Sequence, residues 1–244
     1  MVHIQSSTEL EHYCRTNLAY MEGSVRKILI VFQGLNRHDY IVQPTDPEEL
    51  EWAHKGVLTI LPYTQPWSWM NEDTVSYMNW LLSEIKTLLK LAEDVPVIST
   101  GFSMGGLEAL IYPIYASHKI AAVVANSPVC DLVYHFTERP DLPRTLLSAF
   151  IGYRDGFEAG LESRSPLHQV ARMKRIPYMV ISGGMDDQVS EKKHAIPFVE
   201  KMKEQQYDIC HLSSPGMRHW AIDSYSIYKQ MVDFIDGGYM QKQD

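Results

Sequence analysis

Residues 95–106 read VPVISTGFSMGG, an apolar run that leads into a serine flanked by glycines. A second apolar run with helical character follows at 107–116. Gly-x-Ser-x-Gly between a strand and a helix is the nucleophile-elbow pattern, in which a strained turn lifts the serine hydroxyl above a sheet. Glycines suit positions 101 and 105 because crowded backbone segments leave no room for a Cβ atom. The stretch therefore predicts that Ser103 is a nucleophile.

Short apolar runs rich in β-branched residues alternate with longer amphipathic segments on both sides of this stretch. Such alternation indicates βαβ units, and so an α/β fold with a mostly parallel central sheet and helices on both faces. We expect one domain over residues 1–244, since α/β folds of this length are commonly single domains. The predicted core strands are 27–33, 57–61, 95–100, 121–126, 178–182 and 208–212, and the predicted helices are 46–54, 73–91, 104–117, 191–204 and 222–234.

Two segments depart from this alternation. Residues 9–18 fit either a helix or an irregular edge of the sheet. Between 129 and 166, prolines and glycines punctuate short apolar pieces, and no strand of a parallel sheet is evident. We predict a small helical lid or cap insertion there, over one end of the sheet; an excursion without a role is the alternative.

A serine nucleophile needs a histidine base and an orienting carboxylate, which follow it in the order Ser, Asp or Glu, His. The loop after 178–182 contains Asp186 and Asp187, and His219 follows the last predicted strand. Because ligands of open α/β sheets gather at the carboxyl ends of strands, these loops should meet at one crevice. The pattern predicts a triad of Ser103, His219 and one of the two aspartates, although both aspartates could instead cap the next helix.

The same crevice should contain an oxyanion hole, made of backbone N–H groups aimed at the developing negative charge. Met104 follows the nucleophile and is one expected donor. Leu35 lies in the loop after the first core strand, where Gly34 permits a tight turn, and it is the other expected donor. The alternative is an ordinary turn at the end of a strand.

Tryptophans are concentrated in the loop 62–71, which should border the crevice. Trp67 and Trp69 could stack on a sugar ring or a phenolic acyl group. They could equally pack beneath the lid. Gly34 and Trp220 are further candidates for contact with the substrate.

Charge and motifs exclude several other classes of protein. Lys and Arg number 22 against 30 Asp and Glu, a formal charge of −8, so we expect no nucleic-acid partner. No apolar run approaches the roughly 18 residues that cross a bilayer, and the first residues lack a signal-peptide pattern, which predicts a cytoplasmic protein without a membrane partner. Zinc, Walker and dinucleotide motifs are missing, so neither a metal nor an organic cofactor is expected. The oligomeric state is left open.

These motifs resemble the α/β-hydrolase fold superfamily, and within it the prolyl oligopeptidase-like and small serine esterase branch. The resemblance covers about 27–234, with motifs at 101–106, 165–181, 183–189 and 216–219. It implies that the triad acid is Asp186, which lies three residues after a glycine in the G-x-x-D-x-x-V pattern.

Two departures from the family pattern bear on the substrate. Many members have His-Gly where this chain has Gln33-Gly34, and peptidase members have Arg where it has Gln188. The missing Arg and the absence of an N-terminal propeller domain favour an esterase over a peptidase. We predict a serine carboxylesterase for small-molecule esters, with acylated carbohydrates or aromatic esters as a hypothesis. A prolyl oligopeptidase-like peptidase for short peptides and a non-catalytic hydrolase-fold binding protein are the alternatives.

Overall fold

The structure, a computed structural model, describes residues 3–37, 47–219 and 221–240. Seven strands of these ranges form one sheet. They are β1 (Cys14–Thr16), β2 (Lys27–Phe32), β3 (Val57–Pro62), β4 (Val97–Phe102), β5 (Ile120–Asn126), β6 (Tyr178–Gly183) and β7 (Ile209–Ser214). The order across the sheet is β1-β3-β2-β4-β5-β6-β7, with β1 antiparallel to β3 and the other pairs parallel.

Helices precede, connect and follow the strands along the chain. They are α1 (Ser7–Leu10), α2 (Pro47–His54), α3 (Glu72–Leu88), α4 (Met104–Tyr115), α5 (Leu132–Glu138), α6 (Leu142–Phe150), α7 (Phe157–Arg164), α8 (Pro166–Gln169), α9 (Ala195–Glu204) and α10 (Tyr225–Asp236). Within the described ranges, none of them combines the length and the apolar character that crossing a bilayer requires.

Side chains of each strand alternate between two cores. Ile28 and Ile30 of β2 pack with α3, α4 and α9 on one face of the sheet. Leu29, between them, packs with α2 and α10 on the other face. This separation follows from the two-residue period of a strand, and coverage of both faces explains why several of the strands read as near-continuous apolar runs.

The predicted α/β class with a mostly parallel sheet is confirmed. The six predicted core strands are present, and their ends move by two residues at most. β1 was not predicted as a strand: residues 9–18 form the end of α1, a turn and this three-residue edge strand. A strand of that length is too short to show a period in the sequence. α9 begins at Ala195, later than the predicted start at 191, because turns occupy 191–194.

The segment 129–166 contains α5, α6 and α7 and the first residue of α8, between β5 and β6 in the chain. Its assignment as a lid or cap insertion stays a prediction. The insertion covers the carboxyl end of the sheet, since its side chains share a cavity with residues that follow β2, β4 and β6. Its movement as a lid stays a prediction.

Candidate active site

Ser103 occupies the turn between β4 and α4, as the elbow pattern predicts. Its backbone lies in the left-handed region, with φ 57° and ψ −122°, which is strained for a residue with a side chain. Its main-chain N–H donates to the carbonyl of Asn126 at 3.0 Å, and its carbonyl accepts from Val129 N–H at 3.3 Å. These bonds hold the strained turn against β5 and the start of the insertion.

The flanking glycines are required by close backbone approach. A Cβ added at Gly101 would collide with the carbonyl of Gly105, and one added at Gly105 would collide with the carbonyl of Phe32. The elbow therefore sits directly on β2, and any larger residue at either position would force the backbone apart.

Asp186 and His219 are hydrogen-bonded to each other, and His219 lines the same cavity as Ser103. His219 Nδ1 lies 2.8 Å from Asp186 Oδ2. Asp186 Oδ1 accepts from the main-chain N–H groups of Gln188 and Val189, both at 2.9 Å. Because an ionised carboxylate only accepts hydrogen bonds, the proton of the imidazole lies on Nδ1, and Nε2 keeps its lone pair.

The aspartate loop and the histidine loop are fastened to each other. Met185 N–H donates to the carbonyl of Met217 at 3.1 Å, and a Cβ added at Gly183 would strike that same carbonyl. Asp186 is buried within this contact, whereas Asp187 is exposed. Of the two candidate aspartates, the structure brings Asp186 to the histidine.

Burial alone would raise the pKa of the Asp186 carboxyl. The hydrogen bonds from His219, Val189 and Gln188 outweigh it and hold that pKa below its usual value. The carboxyl group is therefore ionised at neutral pH, as the orienting member of a triad must be.

Ser103 and His219 line one cavity of about 140 Å³. β2, β4 and β6 supply the loops that surround it, and the insertion closes the opposite side with His135, Arg139 and Leu142. Arg139 is already paired, since its guanidinium donates to Asp141 Oδ2 at 2.7 Å and to Gln188 Oε1 at 2.6 Å.

Both predicted oxyanion donors border the nucleophile. Leu35 lines the cavity, next to Gly34, where an added Cβ would collide with the ring of Phe102. Met104 begins α4, and the first N–H groups of a helix have no intrahelical acceptor. Leu35 thus lies at the cavity and Met104 directly follows Ser103 in the chain, and their role as oxyanion donors stays a prediction.

The predicted tryptophan contacts differ in their position relative to the cavity. Trp69 lies in the cavity wall, is 1% exposed and donates through Nε1 to Thr145 Oγ1 at 3.1 Å. Trp67 is not part of the wall; its Nε1 donates to Asn36 Oδ1 at 2.8 Å, and the guanidinium of Arg144 lies over its ring. Trp220 lies outside the described residues.

A buried carboxyl group holds the turn that presents Trp69. Glu108 of α4 accepts hydrogen bonds from Ser68 Oγ and, at 3.3 Å, from Met70 N–H. Trp69 and Met70 both have positive φ, 46° and 54°, so this turn needs outside support. Burial raises the pKa of Glu108 to about 7, although the hydrogen bonds from Ser68 and Met70 act in the opposite direction.

Sequence reasoning missed His135 and Glu138 of α5. His135 lines the cavity, and Glu138 lies behind it. The signal was available: His and Glu three residues apart lie on the same side of a helix, and here His135 Nδ1 is 2.6 Å from Glu138 Oε2. Their partner His194 comes from the residue before α9, and no local spacing connects it to α5.

The comparison with family models decides the classification. The model of the prolyl oligopeptidase family matches residues 72–240, which is more than half of the chain. The chain belongs to the prolyl oligopeptidase family. It is thus a member of a family of serine hydrolases, and the resemblance stated from the motifs is confirmed. No curated protein sequence matches the chain.

Solved structures share the α/β-hydrolase fold of this prolyl oligopeptidase family member at low sequence identity. An acylaminoacyl peptidase of Pyrococcus horikoshii is 15% identical with a TM-score of 0.69, over 92% of this chain and 39% of that one. A puromycin-hydrolyzing peptidase of Mycobacterium tuberculosis is 18% identical with a TM-score of 0.65, over 90% of this chain and 35% of that one. This chain therefore spans little more than a third of the length of these peptidases.

A truncated carbohydrate esterase from gut microbiota is similar over a larger share of its own length. It is 14% identical with a TM-score of 0.68, over 90% of this chain and 88% of that one. Identities this low establish a common fold and leave the substrate undecided.

Proposed function

We propose that this chain is a serine carboxylesterase that acts on small-molecule esters. The observation that carries the proposal is the Asp186–His219 hydrogen bond at 2.8 Å, because its histidine lines the same cavity as the elbow serine. A nucleophile on a strained turn, a base with a fixed tautomer and an ionised acid are the parts of an acyl-transfer site.

In this mechanism Ser103 Oγ attacks the ester carbonyl while His219 Nε2 takes the hydroxyl proton. The carbonyl oxygen gains the negative charge, and the N–H groups of Leu35 and Met104 stabilise it. His219 then donates its proton to the departing alcohol, which leaves an acyl-enzyme. Water, deprotonated by the same imidazole, releases the acid and restores Ser103.

The charge of the cavity supports an ester over a peptide with a free N-terminus. None of the described residues that line the cavity is an aspartate or a glutamate. A carboxylate would be the natural partner of a peptide ammonium group, and here the charged side chains of the wall are Arg37 and Arg139. The fold shared with a carbohydrate esterase is compatible with this choice.

The aromatic wall supports a substrate with a flat or cyclic group. Trp69 lines the cavity with the small part of its side chain that is exposed, and its hydrogen bond to Thr145 fixes it, so a contact there costs no side-chain entropy on binding. We hypothesise an acylated carbohydrate or an aromatic ester as the substrate class.

Hydrolysis of para-nitrophenyl esters from acetate to octanoate tests the proposal, with a dipeptidyl para-nitroanilide as the peptide arm. Wild type should hydrolyse the esters in preference to the anilide, and Ser103→Ala should lose roughly 10⁴-fold or more in kcat. Ser148→Ala, which changes an exposed serine of α6, is the matched control and should behave as wild type.

Each other outcome separates the proposal from an alternative. Preferential cleavage of the anilide, abolished by Ser103→Ala, would establish a peptidase. Absence of turnover in a folded sample would favour a hydrolase-fold binding protein.

A further inference from the structure

A second cluster of titratable groups lies beside the cavity and has no part in the triad. His135 Nδ1 and His194 Nε2 both approach one oxygen of Glu138, Oε2, at 2.6 and 3.0 Å. His135 and His194 are 2% and 0% exposed. A carboxylate between two buried imidazoles fixes how protons are distributed among them.

Two backbone groups determine the tautomer of His194. Its Nδ1 accepts from Cys130 N–H at 3.2 Å and from Asp131 N–H at 3.3 Å. An atom that accepts from two N–H groups cannot carry a proton itself. The proton of neutral His194 is therefore on Nε2, and it is donated to Glu138.

This tautomer opposes metal binding by the three side chains, although their ligand atoms lie within 4.8 Å of one another. A metal on His194 Nε2 would require the ring proton to move to Nδ1. There it would meet the N–H groups of Cys130 and Asp131. His135, Glu138 and His194 thus form a hydrogen-bonded chain without a metal, called the relay below because each member fixes the proton position of the next.

The relay also fixes the tautomer of His135. Burial would raise the pKa of Glu138, but the hydrogen bonds from both histidines outweigh it and lower that pKa to about 2. Burial likewise lowers the pKa of His135 and favours a neutral ring. An ionised Glu138 accepts, so His135 carries its proton on Nδ1 and has a lone pair on Nε2.

That lone pair belongs to a residue of the cavity wall. His135 lines the cavity together with Ser103, and Trp69 packs edge-on against its ring at 5.6 Å. Its Nδ1 is taken up by Glu138, while its Nε2 has no hydrogen-bond partner among the described residues. A ligand that fills the cavity without offering a donor to this nitrogen leaves a polar atom unpaired, which costs free energy.

We propose that His135 is a specificity-determining residue, which accepts through Nε2 a hydrogen bond from an O–H or N–H group of the substrate. Glu138 and His194 are positioning residues, since they act by holding the tautomer of His135. This inference rests on the proposed function and narrows its substrate class to esters that carry a hydrogen-bond donor in the part that enters the cavity.

The kinetic test uses three para-nitrophenyl esters: the butyrate without a donor, the β-hydroxybutyrate with an O–H, and the N-acetylalanine ester with an N–H. For each ester, kcat/KM of wild type is divided by that of His135→Phe, so that the intrinsic reactivity of the ester cancels. His54→Phe, at an exposed position of α2, is the control.

We expect this ratio to be about tenfold larger for at least one donor-bearing ester than for the butyrate. In His135→Phe the O–H or N–H of that ester is left without its acceptor, whereas the butyrate loses no hydrogen bond. The ester that responds identifies the donor as O–H or N–H. Equal ratios for all three esters would overturn the proposal while leaving the esterase intact. Failure of the wild type to hydrolyse the butyrate would contradict the proposed function itself.

Nitrogen NMR of the histidine rings in wild type tests the relay without any variant. At neutral pH we expect a protonated Nδ1 and an unprotonated Nε2 for His135, and the reverse for His194. A proton on Nε2 of His135 would overturn the proposal whatever the kinetics. In Glu138→Leu the preference of His135 for Nδ1–H should weaken, and the selectivity for donor-bearing esters should fall with it, whereas a merely structural role would leave the selectivity unchanged.

Discussion

Replacing Asp186 by asparagine tests how the tautomer of His219 is set. In wild type the two oxygens of Asp186 have separate tasks: Oδ2 faces His219 Nδ1, and Oδ1 accepts from two main-chain N–H groups. Asparagine has only one acceptor oxygen. The loop fixes the main-chain N–H groups of Gln188 and Val189, which will donate to that oxygen. The amide NH₂ will therefore point at the imidazole.

The consequence for catalysis follows from this reorientation. An NH₂ group donates to Nδ1, so the ring proton moves to Nε2, the atom that must accept the proton of Ser103. A base in the wrong tautomer costs a serine triad about 10⁴-fold in kcat, which corresponds to about 5 kcal/mol of transition-state stabilisation. We expect a loss of this size for Asp186→Asn.

The assay is steady-state hydrolysis of para-nitrophenyl butyrate, with thermal unfolding as a check on folding. Asp187→Asn is the control, because it makes the same chemical change at the exposed neighbour. It should keep kcat within about twofold of wild type, as surface substitutions usually do. Asp186→Asn with kcat within tenfold of wild type, or an equal loss in Asp187→Asn, would refute the reasoning.

Three further predictions concern the frame of the site. Gly105→Ala should lower the free energy of unfolding by about 1–3 kcal/mol through the clash with a β2 carbonyl, whereas Gly152→Ala, with open space around it, should be nearly neutral; thermal unfolding of both variants measures this. Glu108 has a folded pKa of about 7, above its usual 4.5, so its stabilising effect is complete below pH 4.5 and is lost as the pH rises to 7. Glu108→Gln should therefore gain up to about 3 kcal/mol over wild type at pH 8 and match it near pH 4, and parallel stability curves would argue against the raised pKa. Trp69→Phe should enlarge the cavity and so lengthen the acyl chain that is hydrolysed fastest in the para-nitrophenyl ester series, whereas Trp67→Phe should leave that preference unchanged. A change in Trp67→Phe without one in Trp69→Phe would show that the acyl group does not bind in this cavity.

The fold and the triad positions could be predicted because their signals are local. The elbow needs glycines within two residues of Ser103, Asp186 follows a strand that reads as an apolar run, and His219 follows the last predicted strand. Parallel strands bring their carboxyl ends to one edge, so the order of strands and loops along the chain is enough to assign three separate loops to one crevice.

The rest of the site depends on contacts between distant segments. His194 reaches α5 across 56 residues of sequence, and Glu108 supports a turn that precedes it by about 40 residues. Neither residue belongs to a motif. The sequence places Glu108 on an apolar helix but does not show which groups hydrogen-bond to it. The two tryptophans could not be told apart for the same reason, since the turn at Ser68 sends only Trp69 into the cavity.

Covalent labelling with an alkyl fluorophosphonate tests the central claim most directly. Attack by Ser103 Oγ on phosphorus expels fluoride and leaves a stable phosphonyl ester, which mass spectrometry locates on a peptide. We predict one adduct, on the peptide that carries Ser103, with a labelling rate that falls at least 100-fold in His219→Ala. No adduct in the folded protein, or an adduct on another serine that survives Ser103→Ala, would contradict the assignment of Ser103 as the nucleophile.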